Sequence, residues 1–75
     1  MSEAAYLQIA RDIREQISSG KLKPGDKLPS FHALCAQYQA SSTVVRGAML
    51  VLKAEGLLDG RQGKGVYVVD PLPQR

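Results

Sequence analysis

Residues 41 to 56, S-S-T-V-V-R-G-A-M-L-V-L-K-A-E-G, constrain the fold more than any other stretch of the chain. Val45, Ala48, Met49 and Leu52 fall at the three-and-four spacing that lines one face of a helix, so the segment reads as an amphipathic helix with a buried side. Ser41 supplies a hydroxyl for the orphan N–H groups of the first turn, and Gly56 supplies a residue that ends a helix in the left-handed region without steric cost. The outer side carries Ser42, Thr43, Arg46, Gly47 and Lys53, with no acid before Glu55. That face is slim, cationic and rich in hydrogen-bonding groups. Such a helix fits a groove about 12 Å wide, from which bulky or acidic side chains are excluded.

The segments before this helix read as two further helices. Tyr6, Ile9, Ala10, Ile13 and Ile17 form an apolar stripe that predicts a helix from Tyr6 to Ser19, stopped by Gly20. Arg11 and Glu15 stand at i, i+4 on it, in the weaker orientation for an ion pair. The run K-L-K-P-G-D-K-L-P at 21 to 29 precludes helix, and Pro24-Gly25 marks a turn between Leu22 and Leu28, both expected to point inward. A brief strand at Leu22 could join a later sheet. Lys21, Lys23 and Lys27 read as a solvated rim, with phosphate contact as the alternative. Ser30 then caps a second helix whose apolar side is Phe31, Leu34, Cys35 and Tyr38. Gln39-Ala40 breaks it, and Gln39 is the residue expected to turn left-handed, at a cost of about 1 kcal/mol relative to glycine.

After Gly56 the period changes. Val66 to Val69 is β-branched and aromatic and reads as a strand, with Leu57 to Arg61 as its antiparallel mate and R-Q-G-K-G as the connection. A hairpin alone is marginal and must pack on the helices. The expected architecture is mainly α with a small β-hairpin: a helix-turn-helix in a bundle of three helices, with a basic two-stranded wing. The folded unit is expected over 6–69, with 1–5 a flexible N-terminus and 70–75 a tail or the start of a linker.

At 75 residues the chain holds one domain. Cys35 is the single cysteine and His32 the single histidine, so zinc spacings and disulfides are excluded; Cys35 reads as a small buried hydrophobe. No cofactor or metal is expected, and no nucleophile-base pair suggests an enzyme. M-S-E-A-A-Y is not a signal peptide, and no apolar run is long enough to span a membrane, so the expected location is the cytoplasm. The formal charge of +3 permits polyanion binding without demanding it.

Three features, carried on the first helix as scaffold, converge on duplex DNA. Arg46 is the one long donor on the slim outer face able to make a bidentate contact to guanine, and Thr43, Ser42 and Gly47 complete the set of base-contact candidates. Ser30, His32, Ser41 and Lys53 are candidates for phosphate contact or helix capping, since a helix N-terminus favours an anion. His32 is expected to face solvent. Arg61, Gln62, Gly63 and Lys64 form a thin cationic tip suited to an adjacent minor groove. Leu50 and Val51, with Leu52, leave more apolar surface than one core face needs, so a second subunit or the wing is expected to cover part of it. The competing reading is a winged-helix protein-interaction module with no specific DNA site.

Y-L-Q-I-A-R-D-I-R-E-Q-I at 6 to 17, G-K-L-K-P-G-D-K-L-P-S at 20 to 30, S-T-V-V-R-G-A at 42 to 48, E-G-L-L at 55 to 58 and G-R-Q-G-K-G-V-Y-V at 60 to 68 together resemble the winged helix-turn-helix DNA-binding domain of the GntR family of bacterial transcription regulators. The resemblance implies base contact by Arg46, phosphate contact or positioning by Thr43, and minor-groove contact by Gln62, Gly63 and Lys64. It also implies a homodimer on a palindromic operator, often repressing, and a small-molecule effector if a C-terminal domain exists in the full protein. The chain departs from the pattern at Phe31 and His32, where the family places an acidic residue and an arginine. It departs again at Gln39 for a glycine, at Ser42 for an arginine, and at Gly47-Ala48-Met49 for Glu-Ala-Leu. A different operator is the expected result.

Overall fold

The computed structural model describes residues 3–73. Three helices, α1 (Ala5–Ser18), α2 (Phe31–Tyr38) and α3 (Ser42–Ala54), precede an antiparallel hairpin of β1 (Leu58–Arg61) and β2 (Gly65–Val68). This is the winged helix-turn-helix order read from the sequence, with element ends shifted by a residue or so.

Helix α1 buries Ile9, Ala10, Ile13 and Ile17, the expected stripe. Tyr6 does not continue it: in the first turn its ring is 38% exposed and lies against Gly47 of α3. The expected Arg11–Glu15 pair is also replaced. Arg11 reaches back to Glu3 at 2.7 Å, which leaves a carboxylate at the positive end of the helix dipole. Glu3 further accepts from Gln8 Nε2 on its carbonyl at 2.9 Å, so two contacts join Glu3 to α1. Met1 and Ser2 lie outside the described residues.

The two joints around α3 use the same hydrogen-bond pattern on different residues. At the end of α2, Gln39 is left-handed (φ 52, ψ 45), its N–H donates to Ala36 O at 3.3 Å, and Ala40 N–H donates to Cys35 O at 3.0 Å. At the end of α3, Gly56 is left-handed (φ 78), its N–H donates to Lys53 O at 3.0 Å, and Leu57 N–H donates to Leu52 O at 3.0 Å. Both are Schellman closures, which satisfy the last carbonyls of the helix. Glutamine makes the first at a steric cost that glycine avoids at the second.

One core fills the centre. Val45, Ala48, Met49 and Leu52 of α3 pack against the α1 stripe, with Leu28, Leu34, Leu58 and Val68 closing the remaining sides. Ala10 and Ala48 are fully buried, and their small side chains allow α1 and α3 to approach closely. Each large member such as Ile13 or Leu52 contributes about 1.5–3 kcal/mol by burial. Cys35 is half-buried and packs against this core. Val51 is likewise partly covered, whereas Leu50 is 60% exposed.

The hairpin register pairs Leu58 with Val68 and Arg61 with Gly65. Its other flank is tied to the α1–α2 connection, though not through Leu22 as expected. Leu22 is half-buried against the core and donates its N–H to Gln16 O at 2.9 Å. Lys27 instead bridges to Tyr67, with Leu28 N–H donating to Val66 O at 2.9 Å and Val68 N–H donating to Asp26 O at 2.8 Å. The pairing runs through Lys27 because burial of Leu28 sets the register. Beyond β2, Val69 N–H donates to Leu57 O at 3.0 Å and Leu72 packs on the core, so the described part of the expected tail is docked. Residues 74 and 75 lie outside the described residues.

Candidate nucleic-acid interface

Helix α3 is held at both ends before it presents anything. Ser41 Oγ accepts from Val44 N–H at 3.3 Å, as Ser30 Oγ does from Ala33 N–H at 3.1 Å for α2. Both serines are therefore caps, and each hydroxyl keeps its proton free to donate to a phosphate. Exposed on α3 are Ser42, Thr43, Arg46, Leu50, Lys53 and, at its end, Ala54. Thr43, Arg46, Leu50 and Lys53 recur at helical spacing and form one outward row.

Arg46 is the centre of that row. Its Cζ lies 5.7 Å from the centroid of the Phe31 ring, a cation–π contact across the helix-turn-helix joint worth about 0.5–1 kcal/mol at an exposed site. Among the described residues it makes no ion pair and no side-chain hydrogen bond, so its five N–H donors stay available. His32, beside Phe31 in the first turn of α2, is exposed as expected.

Gly47 also has a packing role that its place on the outer face did not suggest. One helical step, about 100°, turns it from Arg46 toward α1. A Cβ there would meet Cβ and Cγ of Tyr6 at 3.3 Å. The missing side chain serves the approach of α1 to α3, and a direct part in base contact does not follow from it.

Between the start of α2, α3 and the hairpin runs a cleft with Leu34, Met49 and Val66 in its floor and Lys27, Lys53, Arg61 and Lys64 along its borders; among the described residues, no carboxylate lines it. Two of these lysines lie flat against hairpin glycines. Lys53 Nζ is 2.9 Å from where a Cβ of Gly60 would stand, and Lys27 Cε is 2.9 Å from that point at Gly65. Arg61 folds back over Tyr67, its Cζ 4.7 Å from the ring centroid, and sits 3.7 Å from Asp59. Gln62, Gly63 and Lys64 form the exposed tip, where Gly63 supplies φ 76 and Lys64 N–H closes the turn on Arg61 O at 3.0 Å.

The structure thus gathers Ser30, Lys53 and the wing residues around one cationic cleft, with Arg46 beside it over Phe31 and the Gly47 position turned toward α1. Phe31 and Lys27 belong to this surface too. Phe31 carried a local signal, an aromatic at the first position of a short helix, but its partner lies on another element.

Specific ties away from the surface hold the frame. Arg14 donates to both carboxylate oxygens of Glu55 at 2.9 and 2.8 Å, and this hydrogen bonding raises the Arg14 pKa above its ordinary value. Tyr38 donates to Asp12; burial first, then this bond, pushes the phenol up to about 12.

A family model described as bacterial regulatory proteins, gntR family, matches residues 5–68. The chain is 48% identical over 63 residues to the mannosyl-D-glycerate transport/metabolism system repressor MngR of Escherichia coli (strain K12), covering 84% of this chain and 26% of that protein. It is 50% identical over 52 residues to the HTH-type transcriptional regulator LutR of Bacillus subtilis (strain 168), covering 69% and 24%. The chain therefore spans about a quarter of the length of these curated relatives. Among solved structures, AraR(DBD) in complex with operator ORX1 superposes with a TM-score of 0.88 at 32% identity, over 91% of this chain and 82% of that one. With the family pattern matched across all three helices and the hairpin, the chain belongs to the gntR family of bacterial regulatory proteins.

Proposed function

We propose that this chain is the operator-reading module of a cytoplasmic transcription regulator, acting in repression. It binds duplex DNA sequence-specifically, with α3 in the major groove and the wing tip at the neighbouring minor groove. The observation that carries this reading is Arg46: a guanidinium held outward on α3 that, among the described residues, has no ion pair and stands beside a cleft bordered by lysines and lined by no carboxylate. Relatives named as repressors and a structural neighbour bound to an operator support it. Thr43 and Ser42 extend the row that faces base edges, and Ser30, Ser41, His32 and Lys53 line the phosphate path.

Two copies are proposed to meet on a palindromic operator, and a small effector enters only through a further C-terminal domain. Leu50, 60% exposed on the outward row, favours a second reading in which the same face docks a protein. Selection from a random duplex library by this chain decides between them. Under the DNA reading, Arg46→Ala weakens the selected duplex by about 1–3 kcal/mol and relaxes one guanine position. Lys64→Ala weakens selected and scrambled duplexes alike and lowers the salt slope by about one ion. Equal binding of selected and scrambled duplexes by the wild type refutes base reading.

A further inference from the structure

Among the described residues, Phe31 is one of three large apolar or aromatic side chains that are exposed, and it stands on the proposed DNA face. Its ring is 38% exposed, borders the cleft between α3 and the hairpin, and stacks near Arg46. Burial does not account for it, since the core closes beneath it with Leu34 and Met49. The contact with Arg46 accounts for one side of the ring. It orders the guanidinium through the π face, so that no donor is consumed, whereas a carboxylate partner would occupy two.

The other side of the ring faces a defined chemistry once Arg46 is engaged. A guanidinium that forks onto guanine N7 and O6 lies in the plane of that base pair. Base pairs stack at about 3.4 Å. A ring whose centroid is 5.7 Å from Cζ is therefore close enough to lie beside a base step neighbouring the one Arg46 takes. At that edge the bases offer polar groups, with one apolar exception, the C5-methyl of thymine or of a methylated cytosine.

Resting on the proposed DNA reading, we infer that Phe31 is a specificity-determining residue that reads the C5-methyl group of a pyrimidine in the base step next to the guanine taken by Arg46. The ring does two things at once: it braces the arginine and covers the methyl. Leu50, one helical turn from Arg46 and 60% exposed, is the alternative apolar reader on this face.

The test uses the duplex selected by the wild-type chain, with the guanine located as the position whose preference Arg46→Ala relaxes. Thymidine in each adjacent step is replaced by deoxyuridine, and in a second arm cytidine is compared with 5-methylcytidine there. The wild type is expected to bind the thymidine duplex about fourfold more tightly than its deoxyuridine counterpart, the worth of one covered methyl. Phe31→Ala is expected to bind both equally, with a single cooperative thermal transition, lowered by no more than a few degrees for the lost contact with Arg46, to show that it folds. A matching gain for 5-methylcytosine assigns the methyl group itself; its absence assigns thymine as the ligand. The inference is overturned if the wild type binds both duplexes equally, if the preference survives Phe31→Ala or is lost in Leu50→Ala instead, or if selection places no methyl-bearing pyrimidine beside that guanine. Those results leave Arg46 reading its guanine. Failure of the selected duplex to outcompete a scrambled one removes the underlying DNA reading as well.

Discussion

Gly47→Ala separates two roles for the same residue. Glycine inside a helix costs about 1 kcal/mol relative to alanine, so the substitution gains that much from propensity alone. Against it stands the new Cβ, 3.3 Å from Cβ and Cγ of Tyr6 and 3.4 Å from Cδ2, where carbon atoms prefer about 3.5–4.0 Å. Tyr6 Cβ is fixed to the backbone, so a change of rotamer cannot relieve the contact; the first turn of α1 must shift by a few tenths of an ångström. That turn has no side-chain cap, and Tyr6 is 38% exposed, so it yields at a cost below the propensity gain. The net expectation is a gain of about 0.5 kcal/mol, seen as a melting temperature higher by about 2–4 °C. Because Gly47 faces α1, affinity for the selected duplex stays unchanged. Gly47→Leu, which drives a longer side chain into α1, is expected to destabilise by more than about 1 kcal/mol. Thermal melts and a duplex titration of the same preparations read both axes. A Gly47→Ala chain that is more stable but binds the duplex tenfold more weakly would place the glycine against DNA and refute the packing argument.

Gln39→Gly removes the side chain from a left-handed position and is expected to raise stability by about 1 kcal/mol, read as a higher urea midpoint at constant slope. A double-mutant cycle on Arg14 and Glu55 is expected to give a coupling of about 0.5–1 kcal/mol, the upper end for a solvent-exposed pair because the contact is bidentate. Tyr38 titrates higher in the folded chain than its ordinary 10.0, so its contribution is full below pH 10 and declines as pH rises toward about 12. The stability difference between wild type and Tyr38→Phe, followed by urea titration at pH 9 and pH 11.5, should therefore shrink, by about 1 kcal/mol once solvent screening of this half-exposed group is counted.

What could be read in advance follows from the range of the forces involved. Ser30, Ser41 and Gln39 act on backbone groups within a few residues of themselves, so their caps and turn were visible as local patterns. The stripe of α1 and the buried row of α3 follow from periodicity, which fixes which residues share a face. Periodicity does not say what lies across from a flank, and the packing of Gly47 was hidden for that reason: its neighbour Tyr6 comes from another helix. Arg14 with Glu55, Arg46 with Phe31 and Lys27 with Tyr67 are all meetings between elements, and each depends on how those elements dock. The local pattern reads a brief strand at Leu22, whereas the bridge to the hairpin forms at Lys27, next to the buried Leu28, whose fit into the core only the assembled elements determine.

That third line of pairing governs how copies of the chain meet one another. Val66, Tyr67, Val68 and Val69 are the kind of β-branched and aromatic run that recruits other strands when its edge is open. Here β2 is flanked by β1 on one edge and by residues 25–28 on the other, so its backbone groups are largely spoken for. The open edge of the hairpin belongs to β1, four residues long, with Asp59 and Arg61 on it and the Lys53 side chain laid across Gly60. Short, charged edges of this kind resist adding foreign strands. The chain can therefore carry an aggregation-prone segment while resisting edge-to-edge association at high local concentration.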